Sequence, residues 1–248
     1  MTDGPIDFFL AMERGFTAIL ARRAGSAMTV EALVDQAYDW FERNVPSGDI
    51  SQVTADQPTL ACEKGCQTCC SLRVTATAPE IFLLATYIRR VEASPQGQAL
   101  SLSQRVADAY AATRDVGENG RLALAWPCPV LVQGQCLMHP VRTLACRGHA
   151  AFSVAQCEAA ARGEDVDVAI SEAHLTMRGL VQNALQSALR TAGLPWGLYE
   201  LNQGLALALE DESKCEAWLA GEESLGPAIP DLDMDALGAA FDRLHALH

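Results

Sequence analysis

Aromatic residues are scarce, at 6% of the chain, and basic residues are few: 18 Lys and Arg stand against 31 Asp and Glu, a net charge of −13. A chain this acidic repels phosphate backbones and anionic membranes, so neither nucleic acid nor a membrane is expected as a partner. No apolar run is long enough to span a bilayer. Residues 1–5 carry neither the positive nor the apolar stretch of a signal peptide, so a cytoplasmic, reducing location is expected. The sequence also lacks a Gly-rich phosphate loop, an HExxH pair and a nucleophile elbow. No internal repeat and no low-complexity tract interrupts it.

Apolar residues make up 50% of the 248, which excludes a disordered chain. That length can bury roughly three quarters of its unfolded surface without a disulfide staple. The expected architecture is a single domain over 1–248, mainly α. It is a helical bundle around a loop-rich cysteine core (62–157), with helical flanks 1–60 and 158–248 and at most a short strand near 72–75. Phe8, Phe9, Met12, Phe16, Ile19 and Leu20 recur at helical spacing and predict a helix over 6–23. Val30, Leu33, Val34, Tyr38 and Phe41 predict a second over 28–44, capped by Thr29. The segment 45–60 reads as a polar connection. Thr77-Ala78-Pro79-Glu80 has the spacing of a capping box and predicts a helix to about Glu92. Further helices are expected near 101–115, 166–192 (ended by Gly193 and Pro195), 197–210, 212–221 and 233–247.

Nine cysteines are present, an odd number that rules out complete internal pairing. Eight fall between Cys62 and Cys157, and only Cys215 lies outside. The same window holds nine basic and six acidic residues, +3, so the rest of the chain carries −13 − 3 = −16. The first group is Cys62-x3-Cys66-x2-Cys69-Cys70, with Gly65 available to relieve its turn. The second is Cys128, Cys136, Cys146 and Cys157, in a segment (123–157) with little periodicity. Thiolate is a soft ligand suited to zinc and iron–sulfur clusters. Adjacent side chains diverge, so Cys69 and Cys70 suit two metals, or two corners of a cluster, better than one tetrahedral ion. Lys64, Arg73, Arg142 and Arg147 flank these thiols and are expected to lower their pKa values; solvation of one face is the alternative role for the island.

This ordered set, with Cys128-Pro129, Arg142 and Cys146-Arg147 in it, resembles the YkgJ-like cysteine-cluster family, described as carrying a zinc- or iron-chelating CxxCxxCC domain. The resemblance covers about 62–157. It departs at Arg142-Thr143, where the family often has Arg-Pro, and at His139, where it often has an aromatic. It implies metal binding by Cys62, Cys66, Cys69, Cys70, Cys128, Cys136, Cys146 and Cys157, with zinc or iron as cofactor, and leaves the reaction open. Flagellin lysine-N-methylases look related in this segment, though no methyl-donor motif is present here. The three-cysteine spacing of radical S-adenosylmethionine enzymes also occurs, but without their alternation of strands and helices and with Cys70 added.

Three functions remain open at this level: a metal-binding protein whose metal holds 62–157 together, an iron–sulfur redox or lysine-N-methylase-like enzyme, and a metal storage or delivery protein. In the first, 62–157 has little core of its own. In the second, the helix from 166 and those after it shape a substrate cavity. His139 and His149 read as ligands, as outer hydrogen-bond donors or as solvated loop residues. His174 reads as a structural residue, His245 and His248 as tail residues, and Cys215 as a plain thiol. Arg142 and Arg147 either donate to sulfur or pair with a carboxylate.

Overall fold

Helices account for most of the computed structural model, which describes residues 4–22, 26–45, 59–63, 65–230 and 232–247. The chain opens with α1 (Pro5–Ala21) and α2 (Ser26–Asn44). A 3₁₀ turn (Thr68–Ser71) precedes β1 (Thr75–Ala76), α3 (Ala78–Glu92), α4 (Pro95–Gln98), α5 (Leu102–Thr113) and α6 (Glu118–Leu124). Then come β2 (Leu131–Val132), β3 (Gln135–Cys136), α7 (Leu144–Gly148), α8 (Val154–Ala161) and α9 (Glu172–Thr191). The chain finishes with β4 (Tyr199–Glu200), α10 (Leu201–Glu210), α11 (Ser213–Leu219) and α12 (Met234–Ala246). The mainly α architecture expected from periodicity is what forms.

The apolar stripes of α1, α2, α3, α5, α9 and α10 meet in one buried cluster, and Met12, Phe16, Leu33, Ile81, Leu102 and Leu185 are fully enclosed in it. Helix α1 lies along α9, α2 against α3 and α9, and α10 against α3 and α5. The cysteine-bearing stretch shares this core, since Ile81, Phe82, Val106, Val130, Met138 and Leu144 all belong to it. The core of residues 62–157 is thus a shared one, continuous with that of the flanking helices. Helices α3 and α5 supply it, because their apolar faces need the flanking helices to be buried at all.

The strand expected near 72–75 is β1, which overlaps that range only at Thr75 and pairs antiparallel with β4 through Thr75↔Glu200 and Ala76↔Tyr199. Two boundaries differ for tertiary reasons. Thr29 is buried inside α2, which begins at Ser26, so it does not stand at the N-cap position. The long helix starts at Glu172 and not near 166. Residues 165–170 (Asp-Val-Asp-Val-Ala-Ile) alternate like a strand, and their end pairs with 150–152: Ile170 bridges Ala151, Phe152 N–H donates to the Ala169 carbonyl at 3.0 Å, and Ser171 N–H to that of Ala150 at 2.8 Å.

Candidate metal centre

Separate stretches of chain bring the cysteines together, and backbone hydrogen bonds hold each stretch. The Ala61 N–H donates to the Ala151 carbonyl at 2.8 Å, and the Ala151 N–H donates back to Cys62 Sγ at 3.3 Å. Gly65, at φ +103°, makes the turn that the sequence assigns to it, and the Cys66 N–H closes it on the Glu63 carbonyl. Cys69 and Cys70 sit in the 3₁₀ turn, against which α8 packs with its Cys157. On the other side, the Cys128 N–H donates to the Cys70 carbonyl at 2.7 Å. Beyond it β2 and β3 form a hairpin in which Cys136 faces Leu131 across the register. Its two-residue turn, Gln133-Gly134, has φ of 50° and 76°, the paired positive values that suit the twist of flanking strands. Cys146 lies in the first turn of α7, where its N–H donates to Thr143 Oγ1 at 3.3 Å and that hydroxyl approaches Cys146 Sγ at 3.4 Å.

All eight thiols enter one another's electrostatic surroundings, and Cys69 is common to both sides. The charges of Cys66 and Cys69 act on Cys62, and those of Cys62, Cys66 and Cys69 on Cys157. Cys69 also acts on Cys136 and Cys146, and Cys136 and Cys146 act on Cys128. The Cys70 thiol acts most strongly of all on Cys69. Cys215 is elsewhere, in the surroundings of Glu216 and Arg89, which agrees with its reading as a plain thiol. Among the described residues, no three His, Cys, Asp or Glu side chains lie close enough to enclose a metal ion. The thiols are gathered without being closed on a common point.

Burial pushes the Cys128 thiol up to about 12 and that of Cys146 to about 11. Burial also raises Cys62, Cys136 and Cys157, and the Cys70 thiol raises Cys69. The flanking cations were expected to lower these values. Only part of the island faces the sulfurs, and it is outweighed: Arg142 opposes the rise at Cys62 and Cys136, and Arg105 at Cys128. Arg105 was not singled out by sequence; its guanidinium donates to the carbonyls of Pro129 and Leu131 at 2.8 and 2.5 Å, which fixes the loop carrying Cys128. Arg73 pairs with Glu118 at 3.5 Å on the surface, and Lys64 lies outside the described residues.

Arg147 takes the second of the two roles open to it. It is 7% exposed, donates to the carbonyls of Arg142 at 2.9 Å and Pro140 at 2.6 Å, pairs with Glu42, and lies 3.9 Å over the Tyr38 ring. The Tyr38 hydroxyl in turn donates to the Val141 carbonyl at 3.2 Å. Glu80 completes this support. Its carboxylate accepts from the Leu144 N–H at 2.6 Å and from the Thr77 N–H and hydroxyl, each at 2.9 Å. The capping box read from sequence is thus also the anchor of α7.

Arg142 Nη1 lies 3.1 Å from each ring nitrogen of His139 and 3.0 Å from its carbonyl. His149 presents its carbonyl to the Cys62 thiol at 4.0 Å, while burial and Arg178 hold its imidazole below the usual range. His174 is structural as expected: buried, 2.8 Å from Ser171 Oγ and edge-on to Phe41. His245 is not a tail residue, since its Nε2 meets the Glu13 carboxylate at 2.7 and 2.9 Å and ties α12 to α1. His248 lies outside the described residues.

Two surface clefts open elsewhere. One of about 580 Å³ is lined by Phe82, Arg89, Ala208 and Cys215, and one of about 800 Å³ by Arg121, Glu200, Gln203 and Ile229; neither includes any of the eight gathered cysteines. No helix among the described residues is long and apolar enough to cross a membrane. No protein-family model, curated protein or solved structure matches the chain.

Proposed function

We propose that this chain is a metal-binding protein of a reducing compartment, its eight gathered cysteines chelating zinc or iron. The observation that carries the reading is the selection of thiols. Eight that are dispersed over 62–157 share one electrostatic neighbourhood around Cys69, and the ninth does not. Soft sulfur donors in that number suit zinc or an iron–sulfur cluster, which is also what the likeness to the YkgJ-like cysteine-cluster proteins implies. Bound metal would supply a multidentate cross-link between chain segments that backbone hydrogen bonds hold at a few points. The protein's own part is to bring the thiols near, to release their protons on binding, and to balance the resulting charge with Arg142 and Arg105.

A structural role is favoured because the eight thiols come from separate stretches of chain that a shared ligand set would join. The test is anaerobic purification followed by a visible spectrum and elemental analysis for zinc, iron, copper and sulfide. Stoichiometric, non-exchanging zinc is expected. Iron with inorganic sulfide transfers the reading to redox chemistry, and variable, exchangeable loading transfers it to metal storage or delivery. Chelation should expose residues 120–160 to protease while the helical core persists. Unchanged resistance there, in protein shown to be metal-free, overturns the structural role.

A further inference from the structure

The cleft of about 800 Å³ is built around one buried cation, and none of the eight gathered cysteines lines it. Arg121, in α6, is 7% exposed and lies on the cleft wall. Its Nη2 donates to Glu200 Oε1 at 2.5 Å, while Glu200 Oε2 accepts the Gln203 N–H at 2.8 Å and so caps α10. Both oxygens of Glu200 are thereby engaged, and the guanidinium is held in place from the end of β4. Glu200 is the one partner of that guanidinium among the described residues. A guanidinium carries N–H donors on all three of its nitrogens, in a fixed fork. Among the described residues, the buried side-chain polar atoms without a partner are Gln182 Nε2 and Gln186 Oε1, and no Arg121 nitrogen is one of them. The donors that Glu200 leaves over therefore keep access to solvent at the cleft that Arg121 lines.

The rest of the lining sets what those donors can receive. Arg73 pairs with Glu118 at 3.5 Å and Arg114 with Asp115 at 3.2 Å, both towards the surface. With Arg121 and Glu200, the lining holds three guanidinium groups and three carboxylates, so it is neutral and has no surplus charge for a dianion. The apolar part is Val116 and the run Pro227-Ala228-Ile229-Pro230. That run is fixed beside β4 by the Ile229 N–H, which donates to the Leu198 carbonyl at 2.8 Å, and Asn202 Nδ2 ties α10 to Thr113 Oγ1 at 3.3 Å. A fixed apolar wall with one oriented polar group is the usual make-up of a small-molecule site.

We infer that this cleft binds a small monocarboxylate with an apolar body. Arg121 receives the carboxylate through its remaining N–H groups, a charge-assisted pairing, and the body packs on Val116 and Ile229. A cation is disfavoured, because the Glu200 oxygens are engaged and Glu118 and Asp115 already face guanidinium groups. The site goes beyond the metal-binding reading and does not depend on it.

The full chain as purified, labelled with nitrogen-15, is titrated with isovalerate, hexanoate and phenylacetate and followed by two-dimensional amide NMR. Saturable shifts are expected at the backbone amides of 116–121 and 228–229 and at the Arg121 Nε–H. Isovaleramide, which has the same shape without the charge, and inorganic phosphate should each bind at least about tenfold more weakly than isovalerate. Arg121→Gln should weaken the carboxylates by a similar factor. Glu200→Gln, which removes the competing charge, should tighten them, a gain not expected of an ion pair that only ties α6 to α10. Far-UV circular dichroism checks the fold of each variant, and the comparison of isovalerate with its amide in the wild-type chain decides the matter if a variant does not fold. No saturable shift with any of the three acids overturns the inference. So do equal binding of acid and amide, phosphate binding as tight as the acid, and shifts centred outside the cleft. None of these outcomes bears on the metal content, which is measured separately.

Discussion

Glu80 is fully buried, and its two carboxylate oxygens hold chain from two places: Oε2 the start of its own helix, Oε1 the Leu144 N–H that opens α7. Removing a buried acceptor leaves its donors with neither protein nor water, the costliest way to lose a hydrogen bond. Glu80→Ala should therefore lower stability by about 2–4 kcal/mol, read as a fall in urea midpoint. Glu80→Gln, which keeps one acceptor oxygen, should cost less. Arg147 is a second such residue, since a planar fork reaches two carbonyls and a carboxylate while its face covers Tyr38. Arg147→Lys keeps the charge but not the fork, and should cost about 1–3 kcal/mol in the same measurement. The Thr77–Glu80 half of this arrangement is legible in sequence because it is local. The Leu144 half depends on a meeting of distant segments that no spacing records.

At the scale of elements, short pieces were the hardest to read. The apolar stripes of α1, α2, α9 and α12 announce themselves, whereas α7 and α8 are too short for a periodic signal and owe their form to the caps Thr143 and Ser153. The β2–β3 hairpin carries only a weak local signal, Gly134 between two short apolar runs. The start of α9 is ambiguous in sequence because the alternation in 165–170 runs directly into the helical stripe. Helix α12 depends on few ties: Phe241 against Phe9 and Trp196, His245 on Glu13, and Asp242 on Arg190 at 2.7 Å. The guanidinium of Arg190 beside Asp242 holds its carboxyl below the usual 3.8. A depressed carboxylate contributes its stability above the unfolded pKa and loses it as pH falls through the folded one. Amide exchange in α12 should therefore quicken as pH is lowered below about 4, after correction for the intrinsic rate, and Arg190→Gln should remove that added sensitivity.

For the whole molecule, the central fact is that flanks and cysteine stretch share one core. Leu185, fully enclosed on α9, is part of that core and carries no thiol. Leu185→Ala should cost about 2–5 kcal/mol in thermal or urea unfolding and leave the metal content per folded chain unchanged. Overall class was readable because helical periodicity and composition act over many residues at once. The order of the eight cysteines is legible in sequence; which segments lie on either side of the 3₁₀ turn is not, because that depends on tertiary packing. The pairing of β1 with β4 bears on how the molecule is made. Residues 199–200 leave the ribosome after every one of the eight thiols has done so. Until they arrive, the strand beside the cysteine turn has no partner, and the nascent chain carries a set of nucleophiles it cannot yet shelter. A disulfide formed in that interval would lock a wrong topology, so the yield of mature protein should depend on how reducing its surroundings are during synthesis.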